Sequence, residues 1–147
     1  MANIFDVAKY ILKKIGPITA MKLQKLCYYS QAWHLVWEEK PLFSNKIEAW
    51  GKGPVSPELY KWHKGQFIVN VDEVLNKLAA NKLSSEEKSS IDAVLKGYGK
   101  YTAQELSDMT HREEPWKAAN SLCPVSGNCT AEITIAAMHE YYSSIGK

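Results

Sequence analysis

The chain has 147 residues, 46% of them hydrophobic and 23% charged, with a formal net charge of +2. This composition excludes a disordered segment and suits one domain, residues 1–147, built on one core. No apolar run is long enough to span a bilayer and the N-terminus lacks the charged-then-apolar order of a secretory signal, so a cytoplasmic protein without a membrane partner is expected.

Asn3 is placed to cap a first helix reaching about Ile15, because Ile4, Val7, Ala8, Ile11, Leu12 and Ile15 recur at three- and four-residue intervals. Gly16-Pro17 stops it, and Thr19 caps a second helix running to about Trp37. The apolar residues of that helix cover more than one stripe, the pattern of a central helix enclosed by neighbours. Lys9, Lys13, Lys14, Lys22 and Lys25 cluster along these two helices. A solvated helix face accounts for them, contact with an acidic partner or a phosphate backbone being the alternative. Nucleic acid is disfavoured as a partner, because Arg112 is the sole arginine and bidentate recognition prefers the arginine fork.

Pro41-Leu42-Phe43 and Lys46 to Trp50, separated by Ser44-Asn45, suggest a β-hairpin over about 42–50 that must lie on the helices. Gly51-Lys52-Gly53-Pro54 then turns the chain, and Ser56-Pro57 opens a helix to about Lys64 as cap and first residue. Gln66 to Val71 is expected to be extended and Asp72 to Ala80 to form a short helix. Capping boxes at Ser84/Glu87 and Thr102/Glu105 start helices ending near Lys96 and near Met109-Thr110. Pro115 begins another through Ser121, and Thr134 caps the last. The fold class is therefore mainly α (α+β), a single-domain helical bundle around a central helix at about 19–37 with a small β-hairpin packed on it.

The sequence argues against catalysis. His34, His63, His111 and His139 show no i, i+4 pair and no HExxH context. Cys27 belongs to the core, and Cys123 and Cys129 do not form a CxxC pair, so neither zinc nor a disulfide framework is expected. A hydrolase using His111 or a cysteine is the competing enzymatic reading. Gly51-x-Gly53 is no phosphate loop, since Pro54 has no amide hydrogen to offer. A single anion at the start of the Pro57 helix is a lesser alternative. No catalytic residue, cofactor or metal is expected.

Two segments are richer in specific residues than connectors require. One runs from Trp50 through Lys52, Gly53, Pro54 and Val55 to Tyr60; the other holds Thr110, His111, Arg112 and Trp116 in a loop. As interaction surfaces they offer the aromatic and arginine residues that dominate binding energy. As structural parts, Trp116 plugs the core and Thr110 and His111 satisfy helix ends. Within the first segment Trp50 is expected to be buried, with Lys52, Val55 and Glu58 at the surface.

Leu23-Gln24-Lys25-Leu26, Tyr28, Gln31 and Trp33-His34 resemble the first signature of the Panacea domain, the antitoxin family that includes SocA-like and phage-associated GepA-like proteins. Pro41-Leu42-Phe43 with Glu48-Ala49-Trp50, then Gly53-Pro54-Val55 with Pro57, Leu59 and Tyr60, resemble the next two. Leu106-Ser107, Thr110-His111, Pro115-Trp116 and the helix from Ile133 to Tyr142 resemble the rest. The insert from Cys123 to Cys129 departs from the pattern, and the chain ends soon after the closing helix, leaving no expected DNA-binding appendage. The resemblance implies an antitoxin that neutralises a cognate toxin, encoded beside it, by direct binding. Its alternative is an adaptor delivering a bound partner to a protease, or a mobile-element regulatory protein.

Overall fold

The Asn3 side chain accepts a hydrogen bond from the Asp6 amide and the Asp6 carboxylate accepts one from the Asn3 amide, a capping box that opens α1 (Ile4–Ile15). The computed structural model to which this helix belongs describes residues 1–124 and 127–146; Val125 and Ser126 of the 123–129 insert, and Lys147, lie outside the described residues. Asp6 also accepts the backbone and side-chain amides of Asn81, which ties the start of α1 to a distant loop.

After the short strand β1 (Ile18–Thr19), Thr19 caps α2 (Ala20–Glu38) through the Lys22 amide. The helix is buried around almost its whole circumference, from Leu23 through Ala32 and again at His34, Leu35 and Val36. It is the axis of the molecule, as its lack of a single apolar stripe implies. Its buried polar residues are answered one by one. Ser30 donates back to the Leu26 carbonyl, and His34 Nδ1 meets Ser90 Oγ at 2.7 Å. The Gln31 carboxamide accepts from the Leu42 amide and donates to the Phe43 carbonyl, both at 2.7 Å.

That carboxamide explains a correction. The segment around Leu42-Phe43 does not pair with residues 46–50, because Gln31 and a parallel bridge between Ala2 and Phe43 take up its backbone groups. The hairpin forms one strand later, between β2 (Glu48–Trp50) and β3 (Gly53–Val55), in the register Glu48↔Val55, Ala49↔Pro54 and Trp50↔Gly53. Gly51 and Lys52 are its two-residue turn. The far side of β2 is covered by residues 131–133, where the Ala49 amide donates to the Ala131 carbonyl and the Ile133 amide to the Ile47 carbonyl.

α3 (Pro57–His63), capped by Ser56, leads to β4 (Ile68–Val69), which pairs antiparallel with β1. α4 (Glu73–Leu78) is capped by Asp72, and the two predicted capping boxes open α5 (Ser85–Tyr98) and α6 (Ala103–Arg112). α6 runs two residues beyond the expected end, since no breaker precedes Glu113, so His111 and Arg112 lie in its last turn rather than in a loop. α7 (Glu114–Asn120) follows after one extended residue, and α8 (Ile135–Ile145) closes the fold against α2. A second correction concerns the cysteines. The fold holds the Cys123 and Cys129 Cα atoms 5.4 Å apart, and the two are disulfide-bonded. Cys27 is buried and free, its thiol pKa pushed up by burial.

Where α2, α7 and α8 meet, Tyr29 and Tyr142 both donate to Glu113 Oε1 at 2.7 Å, and the Tyr28 hydroxyl reaches the Tyr142 hydroxyl at 3.0 Å. Burial raises the Glu113 pKa, and the two tyrosine bonds pull it back. Tyr142→Phe takes one donor from this carboxylate, so unfolding in urea is expected to show a loss of about 1.5–3 kcal/mol. The remaining tyrosine bond holds Glu113 less strongly as an anion, so its pKa rises further. The folded variant then keeps its proton to higher pH than the folded wild type, and the deficit widens as pH rises between those two folded-state values.

Candidate functional site

The backbone of the hairpin tip is held from one side by α6 and α7. Ser107 Oγ donates to the Lys52 carbonyl (2.6 Å), His111 Nε2 to Gly51 (3.0 Å), Trp116 Nε1 to Trp50 (2.8 Å) and Asn120 Nδ2 to Ala49 (3.1 Å). Thr110, fully buried, donates to the Ser107 carbonyl at 2.7 Å. The two segments singled out in the sequence therefore form one structure. His111 and Trp116 pack with ring centroids 4.1 Å apart, and across the hairpin Trp50 packs on Tyr60 at 5.1 Å.

The candidate residues divide by exposure. Lys52 and Arg112 are exposed, while Trp50, Tyr60, His111 and Trp116 are half-buried with edges at the surface. Gly53, Pro54, Val55 and Thr110 are buried. Val55 corrects the expectation of a surface residue, because β3 lies directly on α2 and leaves it only 8% exposed. Trp50, expected to be buried, keeps one edge outside.

Lys25 is the larger correction. It was grouped with the early lysines as part of a solvated face, yet it is 1% exposed and its Nζ donates to the Pro54 carbonyl at 3.2 Å. Pro54 cannot donate to a ladder, and its carbonyl is the group that Lys25 reaches. Gly53 makes the approach possible. Its φ is +118°, and a Cβ there would stand 2.6 Å from Lys25 Cε and 3.0 Å from Thr110 Oγ1. The Leu23 to Leu26 signature and the Gly53-Pro54-Val55 signature are thus two halves of one contact.

Gln24, one residue earlier, works in the same way as Gln31. Its Oε1 accepts the Ser56 amide at 2.9 Å, while its Nε2 donates to the Ser56 carbonyl and reaches His63 Nε2 at 2.9 Å. With Gln24 as donor, His63 Nε2 is the acceptor, so the imidazole is neutral with its proton on Nδ1. Burial lowers the His63 pKa, and the nearby Lys25 lowers it too. Beside these side chains α2, the hairpin, α3 and residues 128–130 line a half-open cavity of about 640 Å³. Met21, Trp50, Val55 and Tyr60 supply its apolar walls, with Lys52 among the residues that line it.

Gln24, Lys25 and His63 were not singled out as site residues from the sequence. The signal was available, because a helix enclosed on all sides that still carries glutamine and lysine must partner each of them. Which backbone they partner was not available, since Ser56 and Pro54 lie about thirty positions away along the chain.

A family model described as "Antitoxin SocA-like, Panacea domain" matches residues 23–117, which span the start of α2, the hairpin, α6 and the first turns of α7. The chain is also similar to "Antitoxin SocA" of Caulobacter vibrioides (strain NA1000 / CB15N), at 28% identity over 124 residues. The similarity covers 75% of this chain and 66% of the relative, just under two thirds of the relative's length. No solved structure matches. The matched region contains the clamp from Gln24 and Lys25 to Pro115 and Trp116, all but Asn120, and on that match the chain belongs to the SocA-like antitoxin family and carries its Panacea domain.

Proposed function

We propose that this protein is an antitoxin that neutralises a cognate toxin in the cytoplasm by direct binding, without chemistry of its own. The face that supports this reading is the clamped hairpin tip. There Lys52 and Arg112 stand exposed beside the half-exposed rings of Trp50, Tyr60, His111 and Trp116. The backbone beneath them is held at four carbonyls, so little ordering remains to be done on binding. Gly53, Pro54, Val55 and Thr110 serve the same face from below, by shaping it.

The test is co-expression with the toxin encoded beside it. The wild-type protein is expected to restore growth, and Lys52→Glu with Arg112→Glu to lose most of that protection while remaining folded. Each charge reversal at the edge of such a surface is expected to weaken binding about tenfold or more. A double variant that protects as well as wild type removes this face from the proposal, and a neighbour that is harmless alone removes the antitoxin role. The adaptor alternative predicts instead that the bound toxin's half-life shortens when the protein is present.

A further inference from the structure

The cavity between α2, the hairpin and α3 has a buried lysine in its lining. Lys25, part of its lining, makes one hydrogen bond among the described residues, out of the three an ammonium can donate. No aspartate or glutamate is among the residues lining the cavity. The ion pairs among the described residues, Lys14 with Asp92 and His139 with Glu39, lie elsewhere. An apolar side chain of similar length would fill the position without the desolvation cost.

A space of several hundred Å³ with apolar walls and a few converging polar groups has the make-up of a ligand site. Here the charged side chains among the described residues are all of one sign. Lys52 and, when protonated, Lys25 supply positive charge, the Gln24 carboxamide is already committed to Ser56 and His63, and Asn128 and Thr130 add only neutral groups. From this charge asymmetry we propose that the cavity is a carboxylate-binding site. Its occupant is an acidic residue or chain end of the bound toxin, with the carboxylate on Lys25 and an attached apolar group against Met21, Trp50, Val55 and Tyr60. The proposal rests on the toxin-binding reading for its occupant, because the cavity shares Trp50, Lys52 and Tyr60 with the clamped hairpin face. Burial holds the Lys25 pKa down at about 7, and an incoming carboxylate is the partner that restores its charge.

The probes are N-acetylphenylalanine, which carries the carboxylate, and its neutral amide, titrated into the full chain and followed by backbone amide NMR. The acid is expected to shift the signals of Gln24, Lys25, Gly53, Val55 and His63 and to bind at least about tenfold more tightly than the amide, as a charge-assisted hydrogen bond implies. Lys25→Met is expected to abolish that preference. Met21→Glu, which leaves Lys25 in place and supplies a carboxylate from the wall, is expected to exclude the acid. Equal binding of acid and amide, undiminished acid binding by both folded variants, or no shift up to the solubility limit of the acid each overturns the site. In the co-expression assay Lys25→Met is expected to weaken protection. If it protects as well as wild type while losing the acid, the toxin is overturned as the occupant and the antitoxin role still stands. If no toxin is neutralised at all, the acid titration still decides the site.

Discussion

Gly53→Ala is expected to destabilise the protein by about 2–4 kcal/mol in urea or thermal unfolding, whereas Gly51→Ala, two residues away, changes stability by less than about 0.5 kcal/mol. Gly51 lies in the hairpin turn and Gly53 opens the strand after it, and only Gly53 is constrained. Gly53 sits at φ +118°, and an added Cβ would enter the space of Lys25 Cε at 2.6 Å. Gly51 has no such φ and nothing within 4 Å of the added carbon. The two costs at Gly53 are separate, one in the backbone and one in packing, and they reinforce each other because Lys25 is itself enclosed. Combining Gly53→Ala with Lys25→Ala removes the collision but not the backbone strain, so the double variant recovers part of the coupling. Equal effects at Gly51 and Gly53 would show that turn flexibility, not the Lys25 contact, sets the requirement.

Lys25→Met is expected to stabilise the protein at neutral and acidic pH by about 1–4 kcal/mol, an unusual direction for a substitution at a fully buried position. The cause is desolvation, which lowers the Lys25 pKa from the ordinary 10.5 to about 7. Below pH 7 both folded and unfolded chains hold the proton, and the folded state carries the cost of a buried ammonium, on the order of 5 kcal/mol. Between pH 7 and 10.5 the unfolded chain keeps a proton that the folded chain has lost, so wild-type stability rises with pH across that window. Above it the cost is gone. Methionine has no such titration, and the variant's stability should lack that rise. Against the gain stands the hydrogen bond to the Pro54 carbonyl, worth about 1–3 kcal/mol when its acceptor is left unmet. A destabilised Lys25→Met would mean that this bond outweighs desolvation, and that lysine is present for the fold rather than for a ligand.

These two residues also show where sequence reasoning reaches its limit. Asn3, Thr19, Ser56, Ser84, Thr102 and Thr134 all cap the helices they were expected to cap. Capping joins groups three residues apart, so chain neighbours carry all the information. The hairpin was displaced by one strand because the choice between two partners for β2 was made by Gln31 on α2, which occupies the backbone of Leu42-Phe43. Nothing local to residues 41–55 records that. His111 and Arg112 were assigned to a loop and lie in a helical turn, an error of two residues at the least determinate part of any helix. The cysteine pair was dismissed by compartment and count, whereas the fold holds their Cα atoms 5.4 Å apart, within bonding reach.

By itself the sequence determined the order of the helices, their starts and the all-round burial of α2. Those follow from periodicity, capping and backbone restriction, which act over a few residues. Only the tertiary structure decided what the segments do for one another. Gln24 and Lys25 reach the backbone of Ser56 and Pro54, His111 and Trp116 reach that of Gly51 and Trp50, and an ammonium placed with the surface lysines is part of the lining of a cavity. Such side-chain-to-backbone bonds have no sequence period, because either partner is satisfied equally well by water until the fold excludes it.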